Sequence, residues 1–441
     1  MKKLLYFLLL VLGISSVSFC QTTLIPDPNF EQALIDLGYD TPPIDGSVPT
    51  NNIWSIFELD ISNRAITDLT GIEDFGALGI LDCSLNALVS LDVNQNFELE
   101  ILDCSNNQLT GLSLPSVNGN ALTELRCSAN QLTSLDVSDN PSLSYLYISQ
   151  NELTGLNLNN NPSLEILACN SNQLTSLDLS NNTLLTQIFC DSNEITSLNV
   201  TNNLNLTLLW CRFNQLLSLD VSNNSLLQDL RVWNNQLTTL DISNNLNLTN
   251  LSAGQNQLTS LDVNSNNLLE TIFCYENQLT SIDVSNNPSL VLLWCYSNQL
   301  TSLDVRSGNN TNILGVDYFD SRDNPNLTCI YVDNIEYSSQ NWTNIDPNST
   351  FVENEAECEA LAIADNSLGA DLILYPNPTD NYLFIQGTTS YLSATVYNML
   401  GKQVLYAQNT DKIDVSGLPN GVYVIQISDG VNETQRKFIR N

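Results

Sequence analysis

The sequence has no histidine in 441 residues and little positive charge. Without an imidazole, histidine-dependent catalytic triads, histidine acid–base pairs and histidine-ligated metal centres are excluded. Lysine and arginine total 13 against 48 acidic residues, which gives a formal net charge of −35. Nucleic acids and anionic membranes are poor partners for such a chain, because binding them requires a basic surface.

Long apolar runs are absent outside the first twenty residues. There, Lys2 and Lys3 precede an apolar stretch, and the small residues Ser18 and Cys20 come just before Gln21. This arrangement predicts a signal peptide over residues 1–20, cleaved before Gln21. A lipoprotein acylated at Cys20 is the alternative, which the bulky Phe19 disfavours. We therefore expect export without membrane insertion, since no other run could span a bilayer.

Most of the remaining chain is an internal repeat. One position recurs in eleven consecutive copies at intervals of 21 residues, with a single interval of 23. Each copy reads L-x-x-L-x-C-x-x-N-x-L and then x-x-L-x-V-x-x-N-x-x, and a weaker copy begins at Ile56. The alternation predicts short strands, and units this small must stack to bury their apolar side chains. The recurring position holds Cys83, Cys104, Cys127, Ile148, Cys169, Cys190, Cys211, Val232, Ala253, Cys274 and Cys295.

This pattern resembles the leucine-rich repeat family, in its 21-residue bacterial class with nested halves, over roughly Ile56 to Val332. The resemblance implies a β-rich repeat solenoid with parallel strands, and we assign it residues 56–305. A capping aspartate, Asp27, and Pro28 begin a short apolar helix that Gly38 ends, so residues 21–55 predict a helical N-terminal cap. Residues 306–360, where the pattern decays, predict the closing cap.

The cysteines divide into two groups. Eight occupy the repeated inward position, which elsewhere holds Ile148, Val232 and Ala253. We interpret these eight as buried free thiols, although metal or disulfide chemistry is the alternative. Cys329 and Cys358 lie in the closing cap, where the export context predicts a disulfide between them.

The last part of the chain has a different pattern. After a predicted linker at residues 361–370, residues 371–441 alternate in short segments broken by proline, glycine and asparagine, which predicts a small antiparallel β-sandwich. Its recognisable motif residues are Tyr375, Pro376, Asn377, Pro378, Gly401, Gly421, Tyr423 and Lys437. With these residues the segment resembles the type A C-terminal sorting domain of the bacterial type IX secretion system. The resemblance implies that the type IX machinery reads the tail and that the protein is released or attached at the outer membrane surface.

Aromatic residues favour one side of the repeat. In the L-x-C strand the leucine and cysteine point inward, so the residues between and beside them point outward, on the surface that leucine-rich repeats typically present as concave. The other strand carries mainly Ser, Thr, Asp, Asn and Gly. Because exposed aromatic and arginine clusters are typical of binding hot spots, we predict a protein- or glycan-binding surface. Aromatic residues also support one another across strands, so a structural spacer is the alternative. The predicted surface comprises Tyr145, Tyr147, Phe189, Trp210, Arg212, Arg231, Trp233, Phe273, Tyr275, Trp294 and Tyr296.

Two sets of carboxylates are candidate sites. Asp82 and Asp103 occupy the same outward position in adjacent copies, a spacing that would suit a retaining glycoside hydrolase, but no cleft is evident around them. A second column lies in the SLDV segments, where calcium is conceivable, although each copy supplies one carboxylate beside a hydroxyl donor. We therefore expect no enzyme, no cofactor and no metal site. The second column comprises Asp92, Asp136, Asp178, Asp220, Asp241, Asp262, Asp283 and Asp304.

Overall fold

The computed structural model describes residues 21–116, 121–359, 372–386, 393–428, 430 and 433–441. The chain forms two compact units that divide between Phe351 and Val352. The predicted signal peptide and the predicted linker at residues 361–370 lie outside the described residues. The end of the first unit therefore falls inside the region predicted as the closing cap.

The N-terminal cap joins a hairpin to a short helix. Strands β1 (Thr22–Leu24) and β2 (Ser47–Pro49) pair antiparallel, and helices α1 (Pro28–Asp36) and α2 (Thr50–Ile53) accompany them. One Asp27 carboxylate oxygen accepts hydrogen bonds from the Asn29 and Phe30 amides, which caps α1. The other oxygen accepts the Thr67 amide and hydroxyl, both at 2.7 Å. Asp27 therefore fixes the helix to the first repeat as well as starting it.

A sheet of 13 parallel strands forms one side of the solenoid. Each repeat adds one strand of three residues, the last strand of the sheet has two, and equivalent residues face each other, as in Leu209 opposite Leu230. Side chains alternate along the three-residue strands: the central leucine, or isoleucine in β11 and β15, points into the core and its neighbours point outward. The strands are β3 (Glu58–Asp60), β4 (Ile80–Asp82), β6 (Ile101–Asp103), β8 (Glu124–Arg126), β9 (Tyr145–Tyr147), β10 (Ile166–Ala168), β11 (Gln187–Phe189), β12 (Leu208–Trp210), β13 (Asp229–Arg231), β14 (Asn250–Ser252), β15 (Thr271–Phe273), β17 (Leu292–Trp294) and β19 (Phe319–Asp320).

The second half of each repeat forms the other side. Among the described residues it forms paired strands toward the two ends of the solenoid, in a two-stranded and a four-stranded sheet. In the middle repeats it is extended, with one isolated bridge between Leu177 and Leu198. The paired strands are β5 (Ser90–Asp92) with β7 (Gly111–Ser113), and β16 (Ser281–Asp283), β18 (Ser302–Asp304), β20 (Cys329–Tyr331) and β21 (Thr350–Val352). Two 3-10 turns, Ile72–Asp74 and Asn310–Asn312, lie near the ends.

Buried asparagines connect successive repeats. The Asn277 side-chain oxygen accepts the Leu258 amide of the preceding repeat at 3.0 Å. Its amide group donates to the Ala253 carbonyl of that repeat and to the Cys274 carbonyl of its own. A second series, represented by Asn287, donates to the Val263 and Asn266 carbonyls of the preceding repeat. These amides satisfy turn backbone groups that stacking removes from water.

The closing cap covers the last strand with aromatic residues. Helix α3 (Ile335–Asn341) is followed by Trp342, which is buried and stacks on Phe319 with ring centroids 4.4 Å apart. The Trp342 indole nitrogen donates to the Ile313 carbonyl, so its polar group is satisfied. Cys329 and Cys358 are both disulfide-bonded. The large Trp342 side chain thus covers the end of the apolar core, which would otherwise be exposed to solvent.

The C-terminal unit is the predicted antiparallel β-sandwich. One sheet contains β22 (Ile373–Tyr375), β23 (Tyr382–Gln386) and β26 (Lys412–Asp414). The other contains β24 (Ser393–Asn398), β25 (Gln403–Gln408), β27 (Gly421–Ser428) and β28 (Glu433–Arg440). Leu383, Val396, Ile425 and Phe438 are fully buried in its core. Both folds expected from the sequence, the solenoid and the sandwich, are confirmed.

The eight cysteines of the repeat are free thiols and are buried. Burial raises the pKa of the Cys169 thiol, helped by the nearby Asp191, and that of the Cys274 thiol, to about 12 in each case. The thiols therefore remain protonated in the folded protein over the ordinary pH range and act as small apolar side chains.

We predict that Asn277→Ala lowers the free energy of unfolding by about 2 kcal/mol, because it leaves the buried Leu258 amide without a partner and removes one of the two asparagine donors from each of the Ala253 and Cys274 carbonyls. Chemical denaturation of the full chain measures this loss. Asn267→Ala is the matched control, since Asn267 is exposed in the preceding repeat and should change stability by less than about 0.5 kcal/mol. Equal losses in the two variants would show that the asparagine series does not hold the repeats together.

We predict that stability falls as the pH rises above about 9. The thiol pKa is higher in the folded state than in the unfolded chain, so the unfolded chain loses protons first and is favoured at high pH. Each buried thiol should contribute a loss of about 1.4 kcal/mol near pH 10. Denaturation at about pH 8 and about pH 10 should show a smaller loss of unfolding free energy in the double variant Cys169→Val with Cys274→Ala than in the wild-type protein. Valine and alanine are suitable replacements because the same repeat position holds Val232 and Ala253. The same fall in both proteins would contradict this account.

Candidate functional site

The outward face of the 13-stranded sheet carries the aromatic residues predicted from the sequence. Leu209 of β12 and Cys211, which follows the strand, are fully buried, whereas Trp210 between them is partly exposed. The same alternation governs the neighbouring strands, and the residue after each inward cysteine position also points outward. We call this set the aromatic strip: Tyr145, Tyr147, Phe189, Trp210, Arg212, Arg231, Trp233, Phe273, Tyr275, Trp294 and Tyr296. All of its members are partly exposed.

One cluster of the aromatic strip is built around Trp210. Phe189 meets it edge-on at 4.9 Å, and the Arg231 guanidinium lies 4.0 Å from its ring centroid. The Arg212 guanidinium lies 5.1 Å from the same ring and 6.0 Å from the Trp233 ring. Cation–π contacts of this kind attract the arginines to the ring faces. The arginines and tryptophans therefore form one packed group.

Ion pairs hold the two arginines of this cluster in place. Arg212 binds the largely buried Asp191 through Nε at 3.0 Å and Nη2 at 2.6 Å. Arg231 binds Asp229 on its own strand through Nε at 3.0 Å and Nη2 at 2.8 Å. Two-point pairing fixes the plane of each guanidinium, so the surface is ordered before any ligand arrives. Each ion pair also neutralises the charge of its arginine.

A second cluster lies on β15 and β17 and on the residues that directly follow these strands. The Tyr275 and Tyr296 rings stack in parallel with centroids 4.8 Å apart, and Phe273 meets Trp294 at 4.9 Å. The Trp294 indole nitrogen donates to the Asp317 carbonyl at 2.9 Å. Burial raises the pKa of Tyr275, and the adjacent Glu276 adds to this effect, so its hydroxyl stays neutral at ordinary pH.

The strip is less exposed than isolated surface anchors would be, because its members pack against one another across strands. The Trp210 indole nitrogen is buried and has no hydrogen-bond partner within the described ranges. Phe213, which the sequence analysis omitted, joins the first cluster by meeting Trp233 at 4.2 Å. It occupies a turn position with φ of 50°, where neighbouring repeats carry Ser192 and Asn234. The presence of an aromatic residue at a position that is small and polar in the neighbouring repeats is the sequence signal that could have identified Phe213.

The two clusters are separated by a cleft over β14. The outward residues of this repeat are Asn250, Ser252 and Gly254. Ser252 is smaller than its counterparts Arg231 and Phe273, and Gly254 is smaller than Trp233 and Tyr275. They leave a partly open cleft of about 250 Å³. A Cβ atom on Gly254 would lie 2.8 Å from the Tyr275 ring, so only glycine lets that ring lie over β14. We call this feature the β14 cleft; its other lining residues are Arg212, Asp229, Arg231, Trp233, Leu251, Thr271, Phe273 and Trp294.

The acidic residues considered as sites have local backbone partners. Asp82 and Asp103 face each other on β4 and β6, and each accepts the amide of the residue two positions later at 2.9 Å. Asp220 in the SLDV column accepts the Ser222 amide in the same way, and hydrogen bonds from the Ser222 hydroxyl and amide lower the pKa of its carboxyl group. Hydrogen bonds of this kind are typical of aspartates that stabilise turns. Within the described ranges no three Cys, Asp or Glu residues are grouped to hold a metal ion.

Comparison with known proteins identifies the C-terminal unit. Residues 373–441 match the family model of the secretion system C-terminal sorting domain. This segment is a type IX sorting domain. No curated protein matches the chain. The sorting domain indicates export to the cell surface or the medium, and no described helix is long and apolar enough to cross a membrane.

Solved structures identify the fold of the first unit. The functional domain of InlJ from Listeria monocytogenes, which includes a cysteine ladder, is 24% identical with a TM-score of 0.52 over 96% of this chain and 99% of that chain. An internalin, InlF, from the same organism is 20% identical with a TM-score of 0.58 over 73% and 95%. A leucine-rich repeat protein of Leptospira interrogans is 22% identical with a TM-score of 0.54 over 71% and 84%. The predicted leucine-rich repeat fold is confirmed.

Several predicted motif residues stabilise the sorting domain itself. Asn377, between Pro376 and Pro378, accepts the Ile439 amide and donates to the Lys437 carbonyl, which ties the first strand to the last. Gly401 has φ of 75° in the β24–β25 turn. The Tyr423 hydroxyl donates to the Pro419 carbonyl, and its ring stacks on Phe438.

The remaining motif residues of the sorting domain leave surface available. Tyr375 stacks on Phe384 and keeps 45% of its surface exposed. Lys437 is exposed on β28, and Gly421 begins β27. Tyr375 and Lys437 are thus exposed to solvent, whereas Asn377, Gly401 and Tyr423 hold the fold.

We predict that deletion of residues 371–441 abolishes export while the leucine-rich repeat unit still folds, because the sorting domain has its own core. Cell fractionation and circular dichroism of the truncated protein measure both effects. Attaching residues 361–441 to an unrelated periplasmic protein is the control and should bring that protein to the surface. Normal surface display of the truncated chain would contradict the assignment of the sorting domain as the export signal.

Proposed function

We propose that this chain is a non-enzymatic adhesion or binding protein, secreted or displayed at the cell surface, that recognises a protein or glycan through the aromatic strip. The observation that carries the proposal is the concentration of partly exposed aromatic and arginine side chains on one face of the sheet. Such side chains dominate the binding energy of protein interfaces. The type IX machinery is its second partner, through the sorting domain.

The order of the aromatic strip supports this proposal. The Arg212–Asp191 and Arg231–Asp229 pairs fix groups that a ligand would otherwise have to immobilise. Rings that already pack together lose little further conformational entropy on binding. The strip therefore offers a rigid apolar surface with polar groups at its edges, which suits recognition outside the cell.

A spacer without a ligand is the second candidate, and the same packing favours it. Phe189 with Trp210, and Phe273 with Trp294, are cross-strand contacts that stabilise the sheet whether or not anything binds. The two functions differ in what happens when the exposed parts of the tryptophans are removed. A hydrolase remains a distant alternative, since Asp82 and Asp103 already accept backbone hydrogen bonds in their own turns.

We predict that Trp233→Ser with Trp294→Ser weakens binding of the full secreted chain to arrayed extracellular-matrix proteins or glycans by at least about 30-fold per anchor, which corresponds to about 2 kcal/mol each. The same double variant should lose about 1 kcal/mol of stability per ring through lost aromatic contacts. Binding to the arrays and thermal unfolding are both measured.

Leu226→Ser with Leu246→Ser is the matched control, because these leucines are 45% and 55% exposed in the repeats that carry Trp210 and Trp233 but lie outside the aromatic strip. This control should leave ligand binding unchanged. If the tryptophan variant loses stability and retains full binding, the spacer is the better description.

A further inference from the structure

The β14 cleft differs from the rest of the aromatic strip because its floor is polar while its walls are aromatic. Trp233 stands on one side, and Tyr275, Phe273 and Trp294 stand on the other. Asn250, Ser252 and Thr271 lie between them on adjacent strands, where Asn250 faces Thr271 and Ser252 faces Phe273. A single ring-shaped group entering the cleft would meet both kinds of surface.

The walls are fixed by contacts outside the cleft. Arg231, beside Trp233, is held by Asp229, and its guanidinium also covers Trp210. Tyr275 is stacked on Tyr296 and lies over Gly254, where any larger residue would displace it. The cleft is therefore present before a ligand binds, and its width does not depend on rearrangement of the sheet.

The floor has hydrogen-bonding capacity that the protein leaves unused. The hydroxyls of Ser252 and Thr271 and the amide nitrogen of Asn250 have no hydrogen-bond partner within the described ranges; the Asn250 oxygen accepts the Thr249 hydroxyl. An aliphatic or phenyl side chain of a partner protein would remove these groups from water without replacing their hydrogen bonds, which is unfavourable. A sugar ring would supply hydroxyls to the floor and its C–H faces to the aromatic walls.

The charge around the β14 cleft favours some classes of sugar over others. Both arginines near the cleft are paired with carboxylates, and the chain as a whole carries a formal charge of −35. An anionic sugar would be repelled by this field and would find no free cation in the lining. Cationic groups would compete with Arg231 for Asp229. The cleft thus suits a neutral group of the size of one ring.

We infer that the β14 cleft is a subsite for one neutral pyranose ring of a glycan, an inference that rests on the proposed binding function of the aromatic strip. Trp233 and Tyr275 contact the ring faces, and Asn250, Ser252 and Thr271 hydrogen-bond its hydroxyls. The rest of the strip contacts the flanking parts of the same ligand.

Saturation-transfer NMR and tryptophan fluorescence on the full secreted chain test this, with glucose, galactose, mannose, N-acetylglucosamine and their neutral disaccharides as probes. At least one probe should bind, and Ser252→Trp, which fills the cleft from an outward position, should weaken that binding by at least tenfold. Ser252→Ala should weaken it by about threefold without adding bulk. Ser260→Trp is the matched control, since Ser260 is exposed in the same repeat outside the 13-stranded sheet, and it should have no effect.

The outcomes separate this inference from the proposed function. Absence of binding by all probes, or equal binding by the Ser252→Trp and wild-type proteins, overturns the sugar subsite. If Trp233→Ser with Trp294→Ser still abolishes binding to an arrayed protein, the aromatic strip remains a binding surface and its ligand is a protein. If neither experiment shows binding, the proposed function fails together with the subsite.

Discussion

The structure depends on hydrogen bonds from buried asparagine side chains to the backbone of the preceding repeat. A 21-residue unit cannot bury its own leucines, so it is stable only when stacked, and stacking removes the turn amides and carbonyls from water. Asn277 meets this requirement by accepting the Leu258 amide and donating to the Ala253 carbonyl. The same contacts recur along the solenoid. They fix each repeat against the one before it, at the strand spacing of about 4.8 Å.

That fixed register explains how a surface is built from residues far apart in sequence. Phe189, Trp210 and Arg231 occupy the same position of consecutive repeats, and pairing of their strands brings them into direct contact. Where one repeat carries Ser252 and Gly254 instead, the same register produces a cleft. Changes at the outward positions leave the inward leucines and cysteines unaffected, so the scaffold tolerates variation in the surface. The ion pairs of Arg212 and Arg231 then hold the side chains of that surface in fixed orientations.

The period and the alternation were sufficient to predict the solenoid, the inward cysteines and the outward direction of the strip, because these follow from stacking and strand geometry. The sorting domain was recognisable from its spaced motif. Contacts between side chains were not predictable in the same way. The partners of Arg212 and Arg231, the inclusion of Phe213 and the cleft over β14 depend on rotamers and on the sizes of neighbours. The half-burial of Trp210 follows from those contacts as well.

The central claim is that a ligand covers the aromatic strip when the protein is displayed outside the cell. The five tryptophans of the chain allow this coverage to be measured directly. Oxidative labelling of the displayed protein, followed by mass spectrometry, reports the accessibility of each indole. Trp54, which is 60% exposed in the N-terminal cap, and the buried Trp342 are internal references. The account predicts slower labelling of Trp233 and Trp294 in the displayed protein than in the purified protein, with Trp54 unchanged. Equal labelling of Trp233 and Trp294 in the two states would contradict it.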